Sequence, residues 1–293
     1  MPALPPDRIE QARAFAREQE QGRGDVATAR DAATVVLLRD RIDRVAGLEV
    51  YLLRRAPSMA FAAGMHVFPG GSVDSRDAGH PTGASEFSWA GPAPDRWAAW
   101  LGCDEPLARA LVCAAVRETF EESGILLAGP SPDAVVGDTT DAGWEADRLA
   151  LIDRTLSFAE MLARRDLVLR TDLLRVWGHW ITPEFEPRRF DTRFFVAAVP
   201  DGQRTRDVGG EADQVVWMPV TEAVARYQAG ELPMLPPTAV TLRELSSYAD
   251  VPAVLAADHD IAPLMPRAVI DGDEVRLVVD GPAGERPADE VAE

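Results

Sequence analysis

The chain has 293 residues, 46% of them hydrophobic and 27% charged, and sets 30 basic against 48 acidic side chains for a formal net charge of −18. That length can bury a substantial core, as one large domain or one domain with an appendage. The negative balance excludes bulk binding to a nucleic-acid polymer or to an anionic membrane surface, so an anionic substrate must find a local positive site.

Residues 7–20 are a polar helical stretch without the charged-then-apolar order of a secretory signal. No run approaches the 18 apolar residues of a membrane span. Cys103 and Cys113 form no disulfide or metal framework, with Cys113 on the helix face opposite the carboxylates described below. A cytoplasmic location is expected. Every basic residue is arginine and asparagine is absent, the compositional skew of a GC-rich genome. His66, His80, His179 and His259 are scattered, which gives little support to a histidine metal site or triad.

Residues 32–38 and 48–53 read as strands from their Val, Leu and Tyr content. A third, 65–68, leads into Gly70-Gly71, read as a turn that only glycine permits easily. Residues 72–103 are rich in Gly, Pro and Ser and carry Trp89, Trp97 and Trp100. They read as either a packed excursion or a lid, and the three-residue spacing of Trp97 and Trp100 favours packing. Asp104 is placed to cap a helix that has Pro106 in its first turn and Gly124 at its end. Residues 125–127 resume as a strand.

Residues 144–165 have helical spacing through Leu149, Ile152, Leu156, Phe158 and Leu162, followed by a second helical piece near 171–177. Strands are expected at 180–182, 193–199 and 215–218, then helices at 221–228 and 238–248. In the tail, Asp271-Gly272 between apolar runs 267–270 and 275–279 signals a hairpin. It docks either on the domain or on a second subunit of a homodimer.

The chemistry-bearing stretch is Arg117-Glu118-Thr119-Phe120-Glu121-Glu122-Ser123-Gly124. At about 100° per residue, Glu121 and Glu122 fall within roughly 60° of Glu118, while Val116 and Phe120 face the core. Arg117 lies one turn before Glu121 and can orient it. Clustered carboxylates need a hard cation or a proton, and magnesium takes carboxylate and phosphate oxygens together. Taken alone, such a run is far more often a solvated acidic face. The upstream Val67-Phe68-Pro69-Gly70-Gly71 makes the pair of signals much more specific.

Together these residues resemble the Nudix hydrolases, whose box runs from a strand-ending Gly-Gly to a helix with Arg-Glu-x-x-Glu-Glu-x-Gly. An arginine fourteen positions past Gly71 would stand at 85 but stands at 117, so about 32 residues split the box. The earlier box glutamate, eight before the arginine, is replaced by Arg109, and Asp77 stands six past Gly71 without being assigned to the metal. The split box is similar to the Nudix motif 19 group, whose animal members are peroxisomal coenzyme A diphosphatases. Residues 59–74, 114–127 and 180–195, and Leu235-Pro236-Pro237, carry the likeness, which covers roughly residues 31–250. The last residues, Val291-Ala292-Glu293, lack a peroxisomal Ser-Lys-Leu address.

The resemblance implies an α/β fold, a Nudix-type α/β/α sandwich around a mixed β-sheet with helical insertions and a C-terminal β-hairpin. It divides the chain into a helical extension (1–30), a Nudix domain (31–250, with inserts at 72–103 and 131–178) and a C-terminal extension (251–293). It implies hydrolysis of a phosphoanhydride in a nucleoside diphosphate linked to a second group, most favourably coenzyme A or its acyl esters. ADP-ribose or a nucleotide sugar is the alternative, and a non-catalytic nucleotide sensor a third reading. Mg2+ or Mn2+ would be held by Glu118, Glu121, Glu122 and the Gly71 carbonyl. Glu118 or the loop acid Glu211 would take the proton of water, with Arg117 beside them. Arg55, Arg188 and Arg189 are the substrate-binding candidates, Arg188 and Arg189 weighed against an arginine pair salted to Glu184, Glu186 and Asp191.

Overall fold

The computed structural model describes residues 6–41, 47–57, 59, 62–77, 88–206, 212–258, 261–281 and 284–288. In chain order, α1 (Pro6–Glu20) precedes β1 (Arg30–Asp40), β2 (Leu48–Arg55), β3 (His66–Val67), β4 (Gly70–Ser72) and β5 (Ser88–Ala90). Next come α2 (Pro94–Leu101), α3 (Glu105–Ser123), β6 (Ala128–Gly129), α4 (Ala142–Ile152), α5 (Phe158–Arg164) and β7 (Val168–Arg170). A 3₁₀ turn (Thr171–Leu173) leads into β8 (Leu174–Ile181), followed by β9 (Phe190–Ala198), β10 (Ala212–Pro219), α6 (Val220–Gln228), α7 (Pro236–Leu245) and α8 (Val251–Ala256). The tail holds β11 (Pro263–Leu264), β12 (Arg267–Asp271), β13 (Glu274–Gly281) and β14 (Gly284–Pro287).

The frame is an eight-stranded mixed sheet in the order β10-β2-β1-β9-β8-β11, with β3 paired to β2 and β4 to β1. The central pair, β1 and β9, is parallel over nine registered positions from Arg30↔Phe190 to Leu38↔Ala198. Both faces of β1 are buried, because successive side chains alternate across the pleat. Ala33, Val35 and Leu37 enter a core with α2, α3, α4 and α5. Val36 and Leu38 enter a second core with α6, α7, α8 and the tail strands. The layers are therefore helix, mixed sheet, helix, as the sequence reading implied.

Several local expectations change. Residues 125–127 are wholly buried but not in a strand. The amide groups of buried Gln203 replace a neighbouring strand, accepting from Leu126 N–H at 2.8 Å and donating to its carbonyl at 2.9 Å. The second helical piece expected near 171–177 is a single 3₁₀ turn feeding β8, since its Trp177 and Leu174 are drawn into opposite cores by strand alternation. Gly70 and Gly71 do not adopt a left-handed turn. They form β4 against Thr34 and Ala33, and glycine is required there by close approach: a Cβ on Gly70 would meet the Ala33 carbonyl and Thr34 below 3.0 Å. The tail hairpin turns at Asp271-Gly272, gains β14 as a third strand, and packs Val275, Leu277 and Val279 onto the second core of its own chain. Its docking place is thus this chain rather than a second subunit. Among the described residues no helix is long and apolar enough to cross a membrane.

In the described part of the 72–103 insertion, Trp97 is fully buried, with its ring 6.0 Å from Phe195 of the central strand β9. Trp100 is 40% exposed, lying edge-on to Trp97 and under Arg96. Trp97→Ala is expected to cost about 3–5 kcal/mol in urea unfolding, and Trp100→Ala about 1 kcal/mol or less. Equal losses would show that this segment packs without anchoring the core.

Candidate active site

The carboxylate helix is set by its ends. Asp104 caps α3 by accepting from Leu107 N–H at 2.9 Å, Pro106 stands in the first turn, and Gly124 closes it at φ 76° in the left-handed region. One stripe of the helix, including Leu111, Val112, Ala115, Val116 and Phe120, is buried against the sheet. This fixes the rotation that turns Glu118, Glu121 and Glu122 toward a cleft shared with Gly70 and Gly71.

Arg117 organises the cluster. Its Nε and Nη2 donate to the two Asp77 carboxylate oxygens at 2.8 Å each, and Nη2 also donates to the Ser72 carbonyl at 3.1 Å. Its Nη1 bridges Glu118 at 2.7 Å and Glu121 at 3.2 Å. Burial works against the Arg117 charge, but Asp77, Glu118 and Glu121 overcome that and hold its pKa above the ordinary value. Asp77 is only 2% exposed. Cys113, one turn before Arg117, lies with Sγ 3.8 Å from Asp77, beside this ion pair rather than on a face remote from it.

The strand end is locked to the same helix. Glu122 accepts from Gly70 N–H at 2.8 Å, and a Cβ on Gly71 would collide with the Glu118 carboxylate. Burial pushes the Glu118 carboxyl up, Arg117 opposes it, Glu121 adds to it, and the result is about 7. Burial likewise raises Glu121 against the pull of Arg117.

Among the described residues no three His, Cys, Asp or Glu groups already stand in ligating geometry, because Arg117 spans Glu118 and Glu121. The donor set nevertheless fits a hard divalent cation. It offers three carboxylates on one cleft wall, two of them with proton affinity raised chiefly by burial, and oxygen ligands of this kind suit such an ion. The Gly71 backbone, kept free of a Cβ, passes directly beside them.

The cleft encloses about 1660 Å³ and extends over the Gly70-Gly71 edge to the opposite face of the sheet. Although the chain is strongly acidic, Arg8, Arg30, Arg55, Arg76, Arg154 and Arg188 line the cleft in addition to Arg117. Arg8 pairs with Glu186 and Arg76 with Asp74. No side-chain hydrogen bond or ion pair to another described residue holds Arg30, Arg154 or Arg188. Arg188 and Arg55, two of the three substrate-binding candidates, line this cleft. Arg189 does not. It is 8% exposed, with its guanidinium donating to the carbonyls of Thr182 at 3.0 Å and Ala27 at 2.8 Å and touching the Met265 sulfur. It ties the β8–β9 connection to the chain before β1, so it leaves the substrate-binding set. Glu211 lies outside the described residues, as do His80 and His259.

His66 and His179 are buried structural groups. His179 Nε2 lies 2.5 Å from Asp191, and that contact together with Arg193 occupies Asp191, while Arg8 holds Glu186, so two of the three acids weighed for the arginine pair are engaged elsewhere. Sequence reasoning missed Arg30 and Arg154, for which no local signal exists, and the role of Asp77, for which the spacing from Gly71 was a signal.

A profile of the NUDT19 Nudix domain matches residues 99–245. The chain belongs to the NUDT19 Nudix domain family. Among its relatives, the acyl-coenzyme A diphosphatase NUDT19 of Homo sapiens is 28% identical over 235 residues, 70% of this chain and 62% of that protein. The putative nudix hydrolase 7 of Caenorhabditis elegans is 27% identical over 221 residues, 75% of this chain and 62% of that protein. The chain therefore spans about three-fifths of the length of the curated relatives it matches. A crystal structure of a NUDIX hydrolase from Alicyclobacillus acidocaldarius superposes with TM-score 0.65 at 29% identity, over 80% of this chain and 99% of that one. The Nudix profile begins inside α2, so it takes in the whole carboxylate helix but neither β1 nor the Gly70-Gly71 strand.

Removing one partner of the buried Arg117–Asp77 pair leaves an uncompensated charge. Asp77→Ala is expected to cost about 3–5 kcal/mol in denaturant unfolding, and a loss below about 1 kcal/mol would refute its anchoring role.

Because Glu118 holds its proton more tightly in the folded chain, its contribution to stability is present below its ordinary value of 4.5 and is lost as pH rises through about 7. A divalent cation favours the ionised form. Magnesium or manganese should therefore raise Tm more at about pH 8 than at about pH 5.5, and less in Glu118→Gln. Equal shifts at both pH values in both proteins would dissociate cation binding from this carboxylate.

Proposed function

We propose that this protein hydrolyses a phosphoanhydride in a nucleoside diphosphate linked to a second group, with coenzyme A or an acyl-coenzyme A as substrate and Mg2+ or Mn2+ as cofactor. The observation that carries the reading is one cleft lined both by Glu118, Glu121 and Glu122 and by Arg30, Arg154 and Arg188, whose guanidinium groups are held by no side chain among the described residues. An anionic substrate is drawn to that cleft despite the chain's negative charge. The name of the human relative, an acyl-coenzyme A diphosphatase, supports the choice of substrate.

Glu118, Glu121, Glu122 and the Gly71 carbonyl would hold the cation. When bound there, a divalent cation supplies charge neutralisation for the diphosphate and acidifies water. Arg117 keeps Glu118 and Glu121 aimed at one point, and Asp77 keeps Arg117 from swinging into the cleft. Arg30, Arg154 and Arg188 bind phosphoryl oxygens and stabilise the charge that builds on them. Glu118, on the wall of the same cleft, would take the proton of the attacking water. Glu211 is the other acid assigned to that role.

The test is cleavage with manganese across coenzyme A, acetyl-coenzyme A, ADP-ribose, NADH and diadenosine polyphosphates, with products resolved by mass. Coenzyme A is expected to release adenosine 3′,5′-bisphosphate and 4′-phosphopantetheine. Glu121→Gln should lower kcat at least about a hundredfold with the fold intact by circular dichroism. Full activity of that variant would remove the assigned metal site. Preference for ADP-ribose would discard the substrate while keeping the chemistry.

A further inference from the structure

Helix α4 buries one face, through Trp144, Asp147, Arg148 and Leu151, and leaves two large apolar residues off that face. Trp144 and Leu151 are buried, whereas Leu149 and Ile152 are 46% and 45% exposed. Three residues apart, they share one helix face. Both border the cleft that holds Glu118 and Glu121. The spacing of these two residues, which in sequence reads as part of a core stripe, is therefore turned toward the site.

The turn is fixed in that position. Arg148, 3% exposed, donates Nη1 to the Glu121 carbonyl at 2.7 Å and is itself gripped by Glu145, so α4 is pinned to the carboxylate helix. Just past the helix, the Arg154 carbonyl accepts from Arg76 at 3.2 Å, and Asp74 holds that Arg76 in turn. An apolar pair fixed open at a cleft in this way is available to an apolar group of whatever the cleft binds.

The chemistry of the cleft walls separates two kinds of partner. Trp180, Phe190 and Phe194 line the cleft from the sheet and give that wall an aromatic character, with Trp180 and Phe194 buried. Leu149 and Ile152 are aliphatic, offer no ring face, and suit a hydrocarbon. The volume of about 1660 Å³ also exceeds the roughly 300–1,000 Å³ of an ordinary small-molecule site, leaving room for more than a nucleoside diphosphate.

We propose that Leu149 and Ile152 form the rest for the acyl chain of a coenzyme A thioester, so that the enzyme discriminates among substrates by acyl length. This rests on the diphosphatase reading above. It assigns to the α4 insert a specificity role separate from the carboxylates that carry the chemistry.

The test compares free coenzyme A with decanoyl-coenzyme A in the wild type and in Leu149→Ser/Ile152→Ser, whose changes fall on exposed positions and should leave Tm nearly unchanged. The ratio of kcat/KM for decanoyl-coenzyme A over coenzyme A should fall about tenfold or more, with coenzyme A itself within about twofold. Calorimetric binding without metal should show the same selective loss for the decanoyl ester. An unchanged ratio together with unchanged selective binding overturns the proposal. So does a wild-type dimer that becomes monomeric in the variant with the ratio unaltered, since the pair would then be a subunit contact. If the wild type cleaves no coenzyme A species yet binds the decanoyl ester preferentially, and the variant does not, the diphosphatase reading fails and the hydrocarbon rest stands.

Discussion

The guanidinium of Arg117 is the constraint on which the rest of the site depends. One planar fork closes on both oxygens of Asp77 and reaches the Ser72 carbonyl, while its remaining edge spans Glu118 and Glu121. A lysine could satisfy one of these contacts as a point charge, but only arginine presents donors in a fixed plane to all of them. The arrangement takes the first residues after β4 and attaches them to the middle of α3. It also opposes the burial that raises the proton affinity of two acidic side chains lying side by side.

That attachment explains how a long insertion can split the box without dismantling it. Asp77 stands near the start of the inserted residues and Arg117 follows them, and the two meet at 2.8 Å across forty positions of sequence. The excursion also contributes to the fold, with Trp97 seated under Phe195 of the central strand. Gly70 and Gly71 complete the junction because backbone must lie directly on β1 on one side and on the Glu118 carboxylate on the other. Their need for glycine is steric, and it does not come from a special φ.

Away from the carboxylates, the cleft is assembled by pieces distant in sequence. Arg30 opens β1 beside Phe190 of β9. Leu277 arrives on a tail hairpin that packs against the second core, Ile152 arrives on α4 and Arg154 just past its end. Within an acidic chain, this convergence produces a local surplus of guanidinium groups and walls of unlike character, aromatic on the sheet and aliphatic on the insert. Local positive charge and shape are thereby supplied by different elements from the helix that carries the carboxylates.

Much of this could be read from sequence where the signal is local. The cap at Asp104, the carboxylate stripe, the Asp271-Gly272 hairpin and most strands follow from periodicity, turn chemistry and spacing, which act over a few residues. Tertiary structure decided what those rules do not reach. It placed residues 125–127 against the Gln203 amide instead of in a sheet, turned residues 174–177 into strand, spent Arg189 on backbone carbonyls, and swung Leu149 and Ile152 from an apparent core stripe to the rim of the cleft. The physical reason is common to all four. A backbone group or side chain takes whichever partner the folded chain brings within reach, and that partner lies tens of residues away, where neither periodicity nor composition carries any trace of it.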